Sequence, residues 1–236
     1  VMLATDLVYN SVLNFYFQGQ FVKRGWCETL IIGDSGQAKT TTVERLVSHY
    51  KCGEIISGES ARRTGLLYSL QQQGSSWTLI WGAMPLNDGG LLVIDEFSGI
   101  SEDDLSKMSD TRSSGICRVS GVVTGETTAR TRLIMISNPR SGRQLRSETY
   151  GVTAILKLMG KAEDVRRLDF AVGVASGEVG QEVINQSILD MPNVPHKYTS
   201  ELCSLRTLWA WSRQPEQIKF TPEAMNTILR CAIEMG

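Results

Sequence analysis

The chain has 236 residues, with 24 Lys and Arg against 25 Asp and Glu, 42% hydrophobic residues and five Cys. That length suits one large domain or a domain with a small appendage, with ample apolar content for a core. A formal charge of -1 argues against coating nucleic acid by bulk positive charge, and no apolar run nears the roughly 18 residues that cross a bilayer. Cys27, Cys52, Cys117, Cys203 and Cys231 form no CxxC pair. They suit a reducing cytoplasm, or a nucleoid or nucleus, rather than a zinc or disulfide framework.

The chain begins at Val1 without a basic-then-apolar leader and reads as a piece of something longer. Val8, Val12 and Phe15 at helical spacing predict an opening helix over residues 3–17. It runs into Asn14-Phe15-Tyr16-Phe17-Gln18-Gly19, which is similar to a tag-protease site but is read as native. Residues 28–32 form a short apolar run ending at Gly33, as a buried parallel strand does. Val43, Leu46, Val47 and Tyr50 predict a helix over 40–50, followed by a strand at 54–57. The polar stretch from Gly58 to Asn87 reads as a hairpin inserted on a helix. A buried strand is expected at 91–94. Ser101, followed by Glu102, Asp103 and Asp104, opens a helix with an N-cap and an acidic first turn. A hairpin is predicted over 116–123 and a strand over 132–137.

Asp190-Met191-Pro192-Asn193-Val194-Pro195 marks a linker. Beyond it, Thr199 leads a helix with Leu202, Leu205 and Trp209 on one face. Thr221-Pro222-Glu223 starts another, carrying Met225, Ile228, Leu229 and Ala232 on one face. Alternating strands and helices followed by helices alone predict an α/β domain and a small all-α piece.

Three segments carry chemistry. Gly33-Asp34-Ser35-Gly36-Gln37-Ala38-Lys39-Thr40-Thr41 lies where a strand ends and a helix begins. Backbone N–H groups of such a loop cradle phosphate. Gly33 and Gly36 allow the bend, Lys39 reaches the β and γ phosphates, and Thr40 holds Mg²⁺. Ala38 stands where the GxxxxGK[ST] pattern has its second glycine. Leu91-Leu92-Val93-Ile94-Asp95-Glu96 delivers two acids to the carboxyl end of a buried strand. There Asp95 suits the Mg²⁺ shell and Glu96 the polarisation of attacking water. The strand ending in Ser137-Asn138-Pro139 delivers an amide, Asn138, to orient that water or touch the γ phosphate. The first two segments in this order predict nucleotide hydrolysis with Mg²⁺, and the third supports it; ATP as the nucleotide follows from the resemblance below.

These residues resemble the AAA+ ATPase domain of the minichromosome maintenance (MCM) replicative helicases, as a diverged relative, from about Gly19 to the end. Alanine before the loop lysine is that family's habit. Gly58-Glu59-Ser60-Ala61-Arg62-Arg63-Thr64-Gly65-Leu66 is similar to its Gly/Ser segment, and residues 82–90 to its GALVLADGG run. Residues 94–97 match its IDEF and residues 137–139 its ANP.

The resemblance implies a P-loop AAA+ core with a parallel central sheet over residues 1–189, and the start of an all-α lid over 190–236. Through Arg166-Arg167-Leu168-Asp169-Phe170, similar to the family's SRFDL, it makes Arg167 the finger reaching a neighbouring subunit's γ phosphate. It implies a hexameric ring translocating on single-stranded DNA, with no membrane partner. Val119, beside Arg118, takes the place of the family's channel lysine, and no Lys or Arg occurs from Leu66 through Gly89. Arg130, Arg132, Arg140, Arg143 and Arg146 read as a solvated face or an intersubunit patch. A remodelling ATPase acting on protein is the second reading. A module that keeps nucleotide for structure alone is the third.

Overall fold

The strongest apolar runs become strands of one parallel sheet in the computed structural model, which describes residues 1–61, 63–140, 142–148, 151–178, 180, 182 and 197–235. The chain opens with α1 (Met2–Asn10), β1 (Phe15–Phe17) and β2 (Gln20–Val22). The central sheet then takes β3 (Glu28–Gly33), with α2 (Lys39–Tyr50) leading to β4 (Glu54–Ser57). An excursion follows through α3 (Arg63–Leu66), the hairpin β5 (Tyr68–Gln73) and β6 (Ser76–Trp81), and α4 (Ala83–Leu86). Next come β7 (Leu91–Asp95), α5 (Glu102–Ser114), the hairpin β8 (Ile116–Val119) and β9 (Gly125–Thr128), and β10 (Arg132–Ser137). The rest is α6 (Gly151–Met159), α7 (Ala162–Val165), β11 (Phe170–Val174), α8 (Ser200–Trp211) and α9 (Pro222–Met235).

The sheet order is β11-β3-β10-β7-β4, every neighbouring pair parallel. β3 and β10 are buried at all six positions because helices cover both faces, which is why they read as unbroken apolar runs. Leu30, Ile32, Leu92, Ile94, Leu133 and Met135 face one core with α5 and α6. Ile31, Leu91, Val93, Ile134 and Ile136 face the other with Val8, Tyr9, Val43, Tyr50 and Cys203. All five carboxyl ends therefore open on one side.

Two expected elements change, and one strand is added. The first helix stops at Asn10, where Ser11 turns extended, and residues 15–22 form a hairpin. Gln18 and Gly19, with φ of 49° and 76°, make its two-residue turn, since positive φ at both positions matches strand twist. Phe15 and Phe17 pack on Phe220, at 5.6 and 5.3 Å between ring centroids. The predicted hairpin over 116–123 runs instead to Thr128, Val119 pairing with Gly125. β11 escaped the sequence reading because its five residues Phe-Ala-Val-Gly-Val carry only a short apolar run at the sheet's edge.

The large apolar side chains of α8 point outward. Leu202, Leu205 and Trp209 are exposed, Trp209 at 61%, while Cys203, Thr207 and Ala210 are buried. Small side chains admit the close approach of α8 to α2, and the large ones turn outward. Thr199 does cap α8, accepting from Leu202 N–H at 3.2 Å, and Ser101 caps α5 through Asp104 N–H. The linker expected at 190–195 lies outside the described residues. No helix among the described residues is long and apolar enough to cross a membrane.

Candidate nucleotide-binding site

β3 ends at Gly33 and α2 starts at Lys39, so residues 34–38 must reverse the chain within one short loop. Gly36 and Ala38 adopt left-handed φ of 77° and 53°, with Gln37 between them at negative φ. This alternation turns successive N–H groups to one side, as an anion nest requires. For Ala38 the conformation costs on the order of 1 kcal/mol, which the surrounding loop overrides.

Ser35, Gly36, Gln37, Ala38, Lys39, Thr40 and Thr41 line one side of a cleft of about 560 Å³, with Asp95, Glu96 and Asn138 on the other. Lys39, only 7% exposed, donates to the carbonyls of Gly33 (2.9 Å) and Asp34 (2.7 Å) and to Asn138 Oδ1 (2.9 Å). Burial pushes its ammonium below the usual range, against the pull of Asp34 and Asp95. Thr40 Oγ1 donates to Asp95 Oδ1 at 3.2 Å. A hydroxyl and a carboxylate facing each other are hard oxygen donors that fit Mg²⁺, which takes few protein ligands and completes its shell with phosphate and water. Among the described residues no cluster of three or more His, Cys, Asp or Glu suits a metal.

Glu96 sits at left-handed φ of 50°, its N–H on Asp95 Oδ1 at 2.8 Å. Ser57, paired in register with Asp95, donates from Oγ to Glu96 Oε2 at 2.7 Å. Gly58 donates its N–H to Asp95 O, and a Cβ on Gly58 would lie 2.6 Å from Glu96 O. The loop after β4 is thereby locked to the acid pair. Ser57, Glu59 and Ser98 at this site were missed by the sequence reading. The only available signal for Ser57 was its place at the end of the strand beside the acid strand.

Two expected contacts of the loop point elsewhere. Gly33 closes β3 against β11, where a Cβ would come within 2.2 Å of Val174 O. Its missing side chain answers to strand packing. Asp34 turns its carboxylate away from the cleft, onto the N–H groups of Leu145 and Ser176. Arg167 is not brought to this cleft. It donates to Glu163 O (2.9 Å) and Ser113 Oγ (3.3 Å) and pairs with Asp164. No arginine lines the cleft among the described residues.

Three of the five arginines around β10 are held within the fold, while Arg143 and Arg146 are exposed. Arg130 pairs with Asp88 at 2.7 Å, Arg132 is fully buried, and Arg140 donates to Ile100 O and Leu158 O. Val119 is 3% exposed inside its hairpin, and Arg118 pairs with Glu126.

A family model described as the MCM P-loop domain matches residues 10–157, more than half of the chain. The "DNA replication licensing factor mcm2" of Schizosaccharomyces pombe is 30% identical over 53% of this chain and 15% of its own length. The "Minichromosome maintenance protein MCM" of Saccharolobus solfataricus is 27% identical over 90% of this chain and 31% of its own. The "DNA helicase MCM8" of Gallus gallus is 22% identical over 84% and 25%. The chain thus spans under a third of the length of these relatives. With loop, acid pair and strand-end amide gathered on one cleft, and the family model spanning that same stretch, the chain belongs to the MCM family through its P-loop domain.

Proposed function

We propose that this chain is the ATP-hydrolysing motor domain of an MCM-like DNA helicase that works as a hexameric ring on single-stranded DNA. One observation carries the ATPase reading. Lys39, Thr40, Asp95, Glu96 and Asn138, from three separate stretches of sequence, converge on one cleft at the carboxyl ends of β3, β7 and β10. The residues at 35–38 receive the phosphates on their N–H groups. Lys39 exchanges carbonyl acceptors for β and γ phosphate oxygens. Thr40 and Asp95 hold Mg²⁺, which supplies charge neutralisation of those phosphates when bound. Glu96 polarises the attacking water and Asn138 aligns it.

Among the described residues the cleft wall carries no arginine, so Lys39 is the side-chain cation of this chain that meets the γ-phosphate charge. Arg167, beyond the cleft, is the finger we assign to a neighbouring subunit, and a ring is the arrangement that delivers it. The relatives' names, a helicase and licensing factors among them, support DNA as the track. A remodelling motor on protein has one observation in its favour. The two projecting hairpins expose Trp77, Ile80 and Val122, and β5–β6 carries no cation.

The test is ATP turnover per chain as protein concentration rises, with and without single-stranded DNA. Turnover that climbs with concentration, vanishes in Arg167→Ala and rises with DNA supports the reading. Turnover independent of both concentration and Arg167 overturns the ring. Concentration-dependent turnover indifferent to DNA transfers the assignment to the protein remodeller.

A further inference from the structure

Asp34 is the second residue of the phosphate loop, where a carboxylate facing the cleft would repel a polyphosphate. Instead the residue is 7% exposed and its side chain points back into the protein. Oδ1 accepts Leu145 N–H at 2.7 Å and Oδ2 accepts Ser176 N–H at 2.7 Å. Its own N–H donates to Val174 O at 3.0 Å, and its carbonyl accepts from Lys39 Nζ at 2.7 Å. Four hydrogen bonds join one residue to the exit of β11, to the turn at Leu145–Ser147 and to the loop lysine.

The geometry of these bonds has direction. Lys39 rests on the carbonyls of Gly33 and Asp34, whose peptide planes are fixed on either side of the Asp34 Cα. The segment that leaves β10 at Asn138, itself a Lys39 acceptor, returns to the loop at Leu145. Asp34 therefore sets the carbonyl seat of the ammonium and ties the loop to the turn that follows Asn138. Its two acceptor bonds are charge-assisted, the stronger kind, and each satisfies a backbone donor that lies partly buried. The N–H groups of Ser176 and Leu145 hold the carboxyl below its ordinary range, with burial opposing and Lys39 and Arg146 assisting.

We propose that Asp34 is a positioning residue for nucleotide binding: without touching nucleotide, it seats Lys39 and ties the phosphate loop to the exit of β11 and to the turn after Asn138. The inference rests on reading the cleft as a nucleotide site. It implies that phosphate entering the loop is felt at residues 142–148 and 174–178, outside the cleft.

The test measures affinity of the 236-residue chain for a fluorescent ATP analogue with Mg²⁺. Hydrogen exchange is followed with and without that nucleotide. Asp34→Asn keeps the shape but turns an amide N–H toward one of the two backbone donors. Leu145→Pro deletes one donor and leaves Asp34 intact. Gln144 already has the extended backbone (φ -64°, ψ 143°) that precedes proline, and Leu145 opens its turn, where proline is tolerated. Both variants are expected to bind at least tenfold more weakly, and to lose nucleotide-induced protection at 142–148 and 174–178 while α5 stays protected. Should Asp34→Asn not fold, Leu145→Pro alone decides. Affinity within twofold of wild type in the folded variants overturns the role of Asp34 and leaves the cleft standing. A wild-type chain that binds no nucleotide overturns both.

Discussion

Lys39 Nζ and Asn138 Oδ1 stand 2.9 Å apart across 99 residues of sequence, joining the first turn of α2 to the end of β10. The ammonium has two further acceptors in the loop, so losing the amide leaves the lysine seated. Asn138→Ala is therefore expected to bind ATP within about threefold of wild type while turnover falls about 10²-fold, the usual loss when one preorganised polar group leaves a reacting centre. Parallel binding and turnover measurements check this. Equal turnover would remove Asn138 from the chemistry.

Glu96 stands on a left-handed backbone with its carboxylate on the Ser57 hydroxyl. Glu96→Gln preserves shape and removes the base, so ATP should bind with turnover down at least about 10²-fold. Ser57→Ala frees the carboxylate to wander. Turnover is expected to drop about tenfold at unchanged KM, the equivalent of one hydrogen bond to a charged group. Full turnover by Glu96→Gln would end the assignment of Glu96.

Arg112 lies fully buried between Glu28 and Asp164, donating to Glu28 Oε2 at 2.6 and 2.9 Å and meeting Asp164 at 3.5 Å. Removing one partner strands the others in low dielectric. Arg112→Ala is expected to lose about 3–5 kcal/mol in urea denaturation. A loss under about 1 kcal/mol would mean that water reaches the carboxylates. Because Asp164 also pairs with Arg167, the same variant should loosen the proposed finger.

The Asp34 carboxyl is held below its ordinary value of 3.8 by the Ser176 and Leu145 N–H groups. A group whose pKa is lower folded than unfolded adds stability above the unfolded value and loses it as pH falls through the folded one. The stability gap between wild type and Asp34→Asn should be full near neutral pH and narrow on acidification below 3.8. Denaturation at a series of pH values reads it. A gap unchanged down to about pH 3 would show that the carboxylate charge contributes nothing.

Strands buried on both faces announce themselves as unbroken apolar runs, and residues 28–32, 91–94 and 132–137 were legible for that reason. The phosphate loop and acid pair were legible because their chemistry demands fixed spacing along the chain. Asp34, Ser57 and β11 were not. Asp34 bonds to residues 111 and 142 positions away, and the Ser57 contact needs the order of strands. The outward apolar stripe of α8 shows the same limit. Periodicity marks an apolar stripe but not whether large or small side chains meet the neighbouring helix.

Arg132 has no carboxylate partner among the described residues. Its guanidinium rests on the carbonyls of Ser11 and Gly89 and beneath the ring of Trp211, 4.8 Å from the centroid. Burial pushes its pKa down to about 10. Trp211 in turn anchors to Tyr9 O at 2.8 Å. A truncation ending before α8 would strip the roof from a cation in the middle of the sheet. Anyone trimming this protein to its smallest working unit should therefore keep α8, because the cut that looks safest along the sequence uncovers a buried charge that has no carboxylate among the described residues to answer it.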